Sequence, residues 1–376
     1  MKILHLYADW KWTGPSEPVF NLCQGLTRAG QVVYVGCFEP PVDFKGQTLL
    51  GHLHNFQVKS VSLKRPGKLT GLFALIQNIN RLEKFLSEEL IDLIHTHSSL
   101  DHFYAAKAIR HLHNKPKIIR TNHKGIPLPP DFIASYLIKH TDGYITLSES
   151  LLKTDRETFG LAPERNWWVE GAIDLERFNP QKISRNLRPG LGLTEEDIVI
   201  GVVARIQRHR RFEILLRAFQ EACKENPRLK LVVVGRGTYQ NEILLEPVKM
   251  MGLSKQVIYA GYRTEDYTEI LATFDFGIFL VPGSDGSCRA AREMMAMGKP
   301  LIVARRGILP ELIQNEVDGL VIDDTVTNLV SAMLRLGKDK DLRTRLGTAA
   351  RRIALERFDL NQQVNQTLQI YEQALR

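Results

Sequence analysis

The sequence predicts an α/β protein made of two doubly wound domains. Short β-rich runs alternate with longer helical patterns, and this alternation stops near the middle of the chain and then restarts. A length of 376 residues also suits two domains better than one. The first unit opens with the buried run Lys2-Ile-Leu-His-Leu-Tyr7, followed by the turn Thr13-Gly14-Pro15-Ser16. A helix over about 17–29 closes at Gly30, and Val32–Val35 is the next strand. Strand, helix and strand joined in this way seed a parallel sheet through a right-handed crossover. A helix over about 69–89 then leads into a strand over 90–95, with further strands at 118–121 and 143–147.

The pattern breaks at Phe178-Asn179-Pro180 and at Arg188-Pro189-Gly190, then resumes with Ile198–Val203. A helix over about 212–225 and strands at 229–234, 257–259, 276–280 and 301–303 follow. The final stretch, 361–374, is helical and carries Val364, Leu368 and Tyr371 on one face, which needs a surface to pack against. The expected division is therefore 1–178 and 179–357, with 358–376 returning to complete the first domain.

Composition narrows the function classes. Fifty Lys and Arg against 42 Asp and Glu give a net charge of +8, spread along the chain without a basic tail. This suits an anionic small molecule or surface and argues against a nucleic-acid-binding arm. Four scattered cysteines (Cys23, Cys37, Cys223, Cys288) form no CxxC pair and suit a reducing, cytoplasmic compartment. No run is long and apolar enough to span a bilayer. The sequence has no GxxxxGK[ST] loop, no HExxH and no GxSxG.

The segment from Val281 to Pro300 has the most to say about chemistry. It begins at a strand end, where open parallel sheets bind ligands. Pro282, Gly283, Ser284 and Gly286 make a turn, and a helix is expected from about Ser287. The first amides of that helix, together with its dipole, suit a phosphate. Asp285 and Glu293 stand eight positions apart, one in the loop and one about two turns into the helix, so they could grip two ends of one ligand. The plainer reading makes Asp285 a helix cap and Glu293 a solvated helix residue. Similarly, the basic stretch Arg205, Arg208, His209, Arg210 and Arg211 reads either as an anion clamp or as a solvated loop.

These segments resemble retaining GT-B glycosyltransferases of family 4. Asp285-Gly286 with Glu293 and Met294-Met295-Ala296-Met297-Gly298-Lys299-Pro300 is similar to the family's E-G-x-G-x-x-x-x-E-A-M-A-x-G-x-P signature. Gly201-Val-Val-Ala-Arg205 with Arg210 resembles its G-R-x-x-x-x-K-G element, and Arg211 stands where Gly is usual. Val232-Val-Val-Gly235-Arg-Gly237 and Tyr259-Ala-Gly261-Tyr-Arg263 resemble the strand end and the base-binding loop beside the nucleotide. Gly14 falls in the family's Gly-rich loop, and His123 follows a strand like the family's T-x-H.

The resemblance implies a GT-B fold of two Rossmann-like domains around a cleft. It also implies transfer from a nucleotide-diphosphate sugar with retention at the anomeric carbon and no bound metal or other cofactor. Catalytic roles would fall to His123, Arg205, Arg210 and Asp285, and donor binding to Gly14, Gly235, Gly237, Arg263, Gly286, Ser287, Cys288 and Glu293. His95 and His97 share one strand face, but no third ligand stands at helpful spacing, so no metal is expected there.

The implied acceptor is a saccharide or lipid-linked saccharide of the bacterial envelope, lipopolysaccharide included. Lys59, Lys64, Arg65 and Lys68 precede the apolar run Leu69, Leu72, Phe73 and Ile76. The expectation is a core-facing helix behind a solvated loop, with peripheral contact to an anionic membrane surface as the other reading. A nucleotide-sugar epimerase and a non-catalytic nucleotide-sugar binder are the alternative functions.

Overall fold

The structure is a computed structural model that describes residues 1–12, 16–55, 58–67, 71–282 and 288–376. It divides into two compact units, the first holding 1–172 and 360–376 and the second 173–282 and 288–359. The division falls at 172/173 instead of 178/179 because Ile173 and Phe178 are buried in the second unit's core, Phe178 edge-on to Tyr267 with ring centroids 6.0 Å apart.

In the first unit the order is β1 (Lys2–Tyr7), α1 (Ser16–Arg28), β2 (Val32–Phe38), α2 (Leu49–Asn55), β3 (Lys59–Leu63), α3 (Gly71–Glu89) and β4 (Leu93–Thr96). It continues with α4 (Ser99–Ala108), β5 (Lys117–Asn122), α5 (Phe132–Lys139), β6 (Gly143–Thr146), α6 (Glu149–Phe159) and β7 (Asn166–Trp168). The sheet is parallel throughout, ordered β3-β2-β1-β4-β5-β6-β7. Helices cover both faces, so strands such as β1 are buried on both sides and read as continuous apolar runs.

The second unit runs β8 (Ile198–Val203), α7 (Phe212–Glu225), β9 (Leu229–Val234), α8 (Glu246–Met250), β10 (Val257–Gly261), α9 (Tyr267–Ala272) and β11 (Phe276–Phe279). Then come α10 (Arg289–Ala296), β12 (Leu301–Ala304), α11 (Leu309–Leu312), β13 (Gly319–Ile322), α12 (Val326–Lys338) and α13 (Lys340–Arg357). Its parallel sheet is ordered β10-β9-β8-β11-β12-β13. In each sheet the chain starts in the middle, builds outward one way, then returns to build the other. The reversals fall between β1 and β4 and between β8 and β11. These are the switch points where the loops leaving adjacent strands diverge and leave room for a ligand.

The last helix, α14 (Leu360–Leu375), belongs to the first unit. Val364, Ile370 and Tyr371 are buried with Val19, Phe20 and Cys23 of α1, which is the surface its apolar face requires. Gly25 of α1 permits this approach, since a Cβ there would stand 2.4 Å from Val364 Cγ2.

Two boundaries differ from the sequence reading for local reasons. β4 starts at Leu93 instead of Leu90 because Leu90, at φ +52°, ends α3 in a left-handed turn and Ile91 N–H reaches back to the Leu86 carbonyl. The apolar run on α3 does not face the core. Leu72, Phe73 and Ile76 are 73%, 64% and 49% exposed, while Ala74, Asn78, Leu82 and Leu86 form the buried stripe. Lys68 and Leu69 lie outside the described residues.

Candidate functional site

In the second unit, Arg205, Arg210, Gly235, Gly237 and Arg263, among the described site residues, lie on the loops that leave the C-terminal ends of β8, β9 and β10. The loops after β8 and β9 continue the ladder beyond the strands, with Ala204 N–H donating to Val234 O at 3.0 Å and Ile206 N–H to Arg236 O at 3.1 Å. This tight approach explains both glycines. A Cβ on Gly235 would stand 2.0 Å from Ala204 O, and one on Gly237 would stand 1.9 Å from Ile206 O. Gly235 also takes φ +145°, and its N–H donates to Gly261 O at 2.8 Å, tying the β9 and β10 loops together.

Arg205 lies exposed on the loop after β8. Arg210 ends a 3₁₀ turn over Arg208–Arg210 and donates to the carbonyls of Val281 and Pro282, just past β11. It thus binds the chain across the β8/β11 switch point, at the last described residues before Asp285, Gly286 and Ser287. Those three residues, and Gly14 of the first unit, lie outside the described residues. Arg211 sits at φ +63°, ψ +31°, the left-handed region that glycine adopts freely. The position is thus glycine-like in conformation, and Arg211 adds an ion pair to Asp324 at 3.0 Å. Arg263, after β10, is half-buried and pairs with Asp266 at 3.5 Å.

The helix after this loop begins at Arg289 instead of Ser287, because Cys288 is its N-cap and takes φ +47°. The Cys288 side chain is buried in the apolar cluster with Ala291 and Met294, so only its backbone is placed to meet a ligand. Glu293 is not a solvated helix residue: it is 2% exposed. Tyr267 O–H donates to Glu293 Oε2 at 2.7 Å, and Arg289 Nε lies 3.0 Å from Oε1. Burial, then the neighbouring Glu293 carboxylate, holds the Tyr267 phenol well above its ordinary pKa, so it stays a donor.

In the first unit, His123 stands on the loop after β5 at the end of a set of four imidazoles. His5 on β1 lies in register with His95 on β4, and His97 points to the same face. His5 Nδ1 and His97 Nε2 are 2.9 Å apart, and His97 Nδ1 and His123 Nε2 are 2.8 Å apart. His95 uses Nδ1 toward Tyr371 Oη at 2.5 Å and Nε2 toward Thr121 Oγ1 at 2.6 Å. His5 therefore fills the place where no third residue was expected beside His95 and His97, their nitrogens lying within 4.8 Å of one another. Each of those six nitrogens is already engaged in a hydrogen bond within the cluster. Burial, reinforced by neighbouring charge, lowers the pKa of His5 and His123 to about 3, and those of His95 and His97 well below 6.5. A cavity of about 30 Å³, lined in part by His95, His97, Thr121 and His123, flanks the rings.

Sequence reasoning missed His5, Tyr371 and Tyr267. The first becomes visible once β1 and β4 are known to be neighbours. The other two are brought in by helices whose docking leaves no mark near His123 or Glu293.

Comparison with known proteins agrees with this architecture. The profile "Glycosyltransferase Family 4" matches residues 13–177, and "Glycosyl transferases group 1" matches residues 184–353. An Escherichia coli UDP-Gal:alpha-D-GlcNAc-diphosphoundecaprenol alpha-1,3-galactosyltransferase is 26% identical over 281 residues, covering 71% of this chain and 72% of its own. A Bacillus anthracis N-acetyl-alpha-D-glucosaminyl L-malate synthase is 25% identical over 307 residues, covering 79% and 78%. Among solved structures, a Rickettsia africae glycosyltransferase superposes with a TM-score of 0.85 at 17% identity, covering 100% of this chain and 98% of its own. Anabaena Alr3699/HepE, in complex with UDP-glucose, superposes at 0.77 with 20% identity, covering 98% and 99%. With two Rossmann-like sheets and matches along nearly its whole length, the chain is a GT-B protein that belongs to the group 1 glycosyltransferases.

Proposed function

We propose that this glycosyltransferase moves a sugar from a nucleotide-diphosphate sugar to a hydroxyl of a saccharide or lipid-linked saccharide acceptor of the bacterial envelope, with retention and without a metal ion. The observation that carries the reading is the gathering of Arg205, Arg210, Gly235 and Gly237 on the loops around the β8/β11 switch point. The leaving group is a diphosphate whose negative charge grows as the glycosidic bond breaks. Two guanidiniums held beside that bond supply the stabilisation that a divalent ion would otherwise give. Each charge-assisted hydrogen bond contributes about 1.5–3 kcal/mol. Glu293, held by Tyr267 and Arg289, accepts from the ribose hydroxyls, and Asp285 from those of the sugar. Gly286 and Ser287 offer amides to the diphosphate, Arg263 stands at the base-binding loop, and Gly14 and His123 act on the donor from the first unit. His123 contacts either the sugar or the departing phosphate.

The names of the relatives support the acceptor class, since one acts on a diphosphoundecaprenol-linked sugar. Among the described residues, no helix is long and apolar enough to cross a membrane. Exposed Leu72, Phe73 and Ile76, which follow exposed Lys59, Lys64 and Arg65 along the chain, support contact with an anionic bilayer surface from the cytoplasmic side. The test is thermal stabilisation by a panel of nucleotide sugars, then transfer assays with EDTA present. Stabilisation by one donor and full turnover in EDTA are expected. Turnover abolished by EDTA and restored by magnesium would refute the metal-free mechanism, and stabilisation by no donor would refute the donor class.

A further inference from the structure

The rings around His123 form one continuous hydrogen-bonded chain. It runs Thr121 Oγ1, His95, Tyr371 Oη, His5, His97, His123, with successive separations of 2.6, 2.5, 3.5, 2.9 and 2.8 Å. A neutral imidazole donates from one nitrogen and accepts at the other, so fixing one proton fixes the whole row. With the phenol proton of Tyr371 given to one of its two rings, only two orders satisfy every link, and they run in opposite directions.

Tyr371 selects between them. Its phenol has a single proton and two bases to choose from, His95 Nδ1 at 2.5 Å and His5 Nε2 at 3.5 Å. The proton belongs on the short link, because the 2.5 Å contact makes the strong hydrogen bond and the 3.5 Å contact a weak one. His95 then carries its proton on Nε2 and donates to Thr121 Oγ1. His5 Nε2–H donates to the phenol oxygen, which accepts it on a lone pair. His5 Nδ1 then accepts from His97 Nε2–H, and His97 Nδ1 accepts from His123 Nε2–H. All four imidazoles are then neutral Nε2–H tautomers, in keeping with the burial of His5, His95 and His97 and the half-buried place of His123.

We infer that Thr121, His95, Tyr371, His5 and His97 are positioning residues that hold His123 in its Nε2–H tautomer and leave Nδ1 as a hydrogen-bond acceptor for a substrate hydroxyl. Among the described residues, no partner of His123 Nδ1 is present. A bare ring nitrogen accepts from a sugar O–H and repels a phosphate oxygen. Of the two contacts proposed above, the geometry therefore assigns His123 to the sugar. The role at the sugar rests on the transferase reading, but the tautomer does not.

The experiment reads the tautomer without substrate. Protein labelled with ¹⁵N-histidine is studied by long-range ¹H–¹⁵N correlation, and His123 is assigned through a His123→Gln variant. The expected spectrum has pyrrole-like Nε2 and pyridine-like Nδ1 signals for His5, His95, His97 and His123. A pyrrole-like Nδ1 on His123, or a charged ring at pH 7, would overturn the inference whatever the enzyme's activity. Thr121→Val, close in shape, removes the acceptor at the far end of the row. It should flip His95 to Nδ1–H and reverse every following link, so that His123 becomes Nδ1–H. Tyr371→Phe should cut the row and replace the single His123 tautomer by a mixture. An unchanged His123 signal in either folded variant would show that the links are not coupled, and the inference would fall. If neither variant folds, the wild-type spectrum still decides. In the transfer assay, Thr121→Val should lower kcat with the Tm kept near that of the parent.

Discussion

Acid should unfold the first unit, and its buried histidines are the reason. The perturbation is a fall in pH from 7 to 4. His5, His102 and His123 titrate at about 3 in the folded chain, and His95 and His97 lie well below 6.5. In the unfolded chain all five take up protons near 6.5. Between these limits the unfolded state binds more protons, so stability falls as pH falls. Two carboxyls oppose the trend. Burial raises Asp101 to about 6 and raises Asp155 as well, so the folded state holds their protons more tightly. Five groups against two leave a net uptake of about three protons on unfolding. At about 1.4 kcal/mol per proton per pH unit, stability drops by about 4 kcal/mol for each unit. A domain with about 5–15 kcal/mol in hand should then lose its fold between about pH 5 and pH 3. The thermal midpoint should fall by roughly 10 °C per pH unit on the way. Trp10, Trp12, Trp167 and Trp168 are all the tryptophans of the chain and all lie in the first unit, so intrinsic tryptophan fluorescence follows that unit alone. A tryptophan-detected midpoint that stays flat from pH 6.5 to pH 4.5 would refute the reasoning, because it would mean that these rings are charged or solvated in the folded chain.

Arg205→Ala removes an exposed side chain and should leave the Tm within about 1 °C while cutting kcat by about 10²–10³-fold, as loss of one preorganised donor does elsewhere. Near-normal steady-state turnover would remove Arg205 from the mechanism. Gly237→Ala places a methyl 1.9 Å from Ile206 O, so one of two loops must move by more than an ångström. A loss of about 1–3 kcal/mol in denaturant unfolding is expected, with a raised KM for the nucleotide sugar; an unchanged KM would separate this loop from donor binding. Replacing Leu72 and Phe73 by Ser should change stability by less than about 0.5 kcal/mol each, because both side chains are exposed. The same change should abolish co-sedimentation with phosphatidylglycerol vesicles at low salt, and a parent protein that does not sediment would refute the membrane reading.

Repeating βα units, the break after Phe178 and the apolar stripe of the final helix are local patterns, and each corresponds to an element or a boundary in the structure within a few residues. Three of the four edge strands were the exception. β3, β7 and β13 are short and only partly buried, so their composition hardly departs from that of loops. The donor-side residues were legible because strand ends, glycines and arginines recur at fixed spacing along the chain, while the reason for Gly235 and Gly237 appeared only when two loops met at backbone distance. Glu293 shows the limit clearly. Its spacing from Asp285 suggested a ligand pair, yet only the packing of Tyr267 and Arg289 onto α10 made it a buried, oriented carboxylate. His123 goes furthest in this respect. Nothing near it in sequence points to Tyr371, 248 positions away, since the numbering of the two residues alone separates them. Periodicity and turn chemistry act over a few residues, and so the sequence alone determined which elements form. Hydrogen-bonded rows and close backbone contacts depend on which strands lie side by side and which helix docks behind them, and that was decided by the tertiary structure.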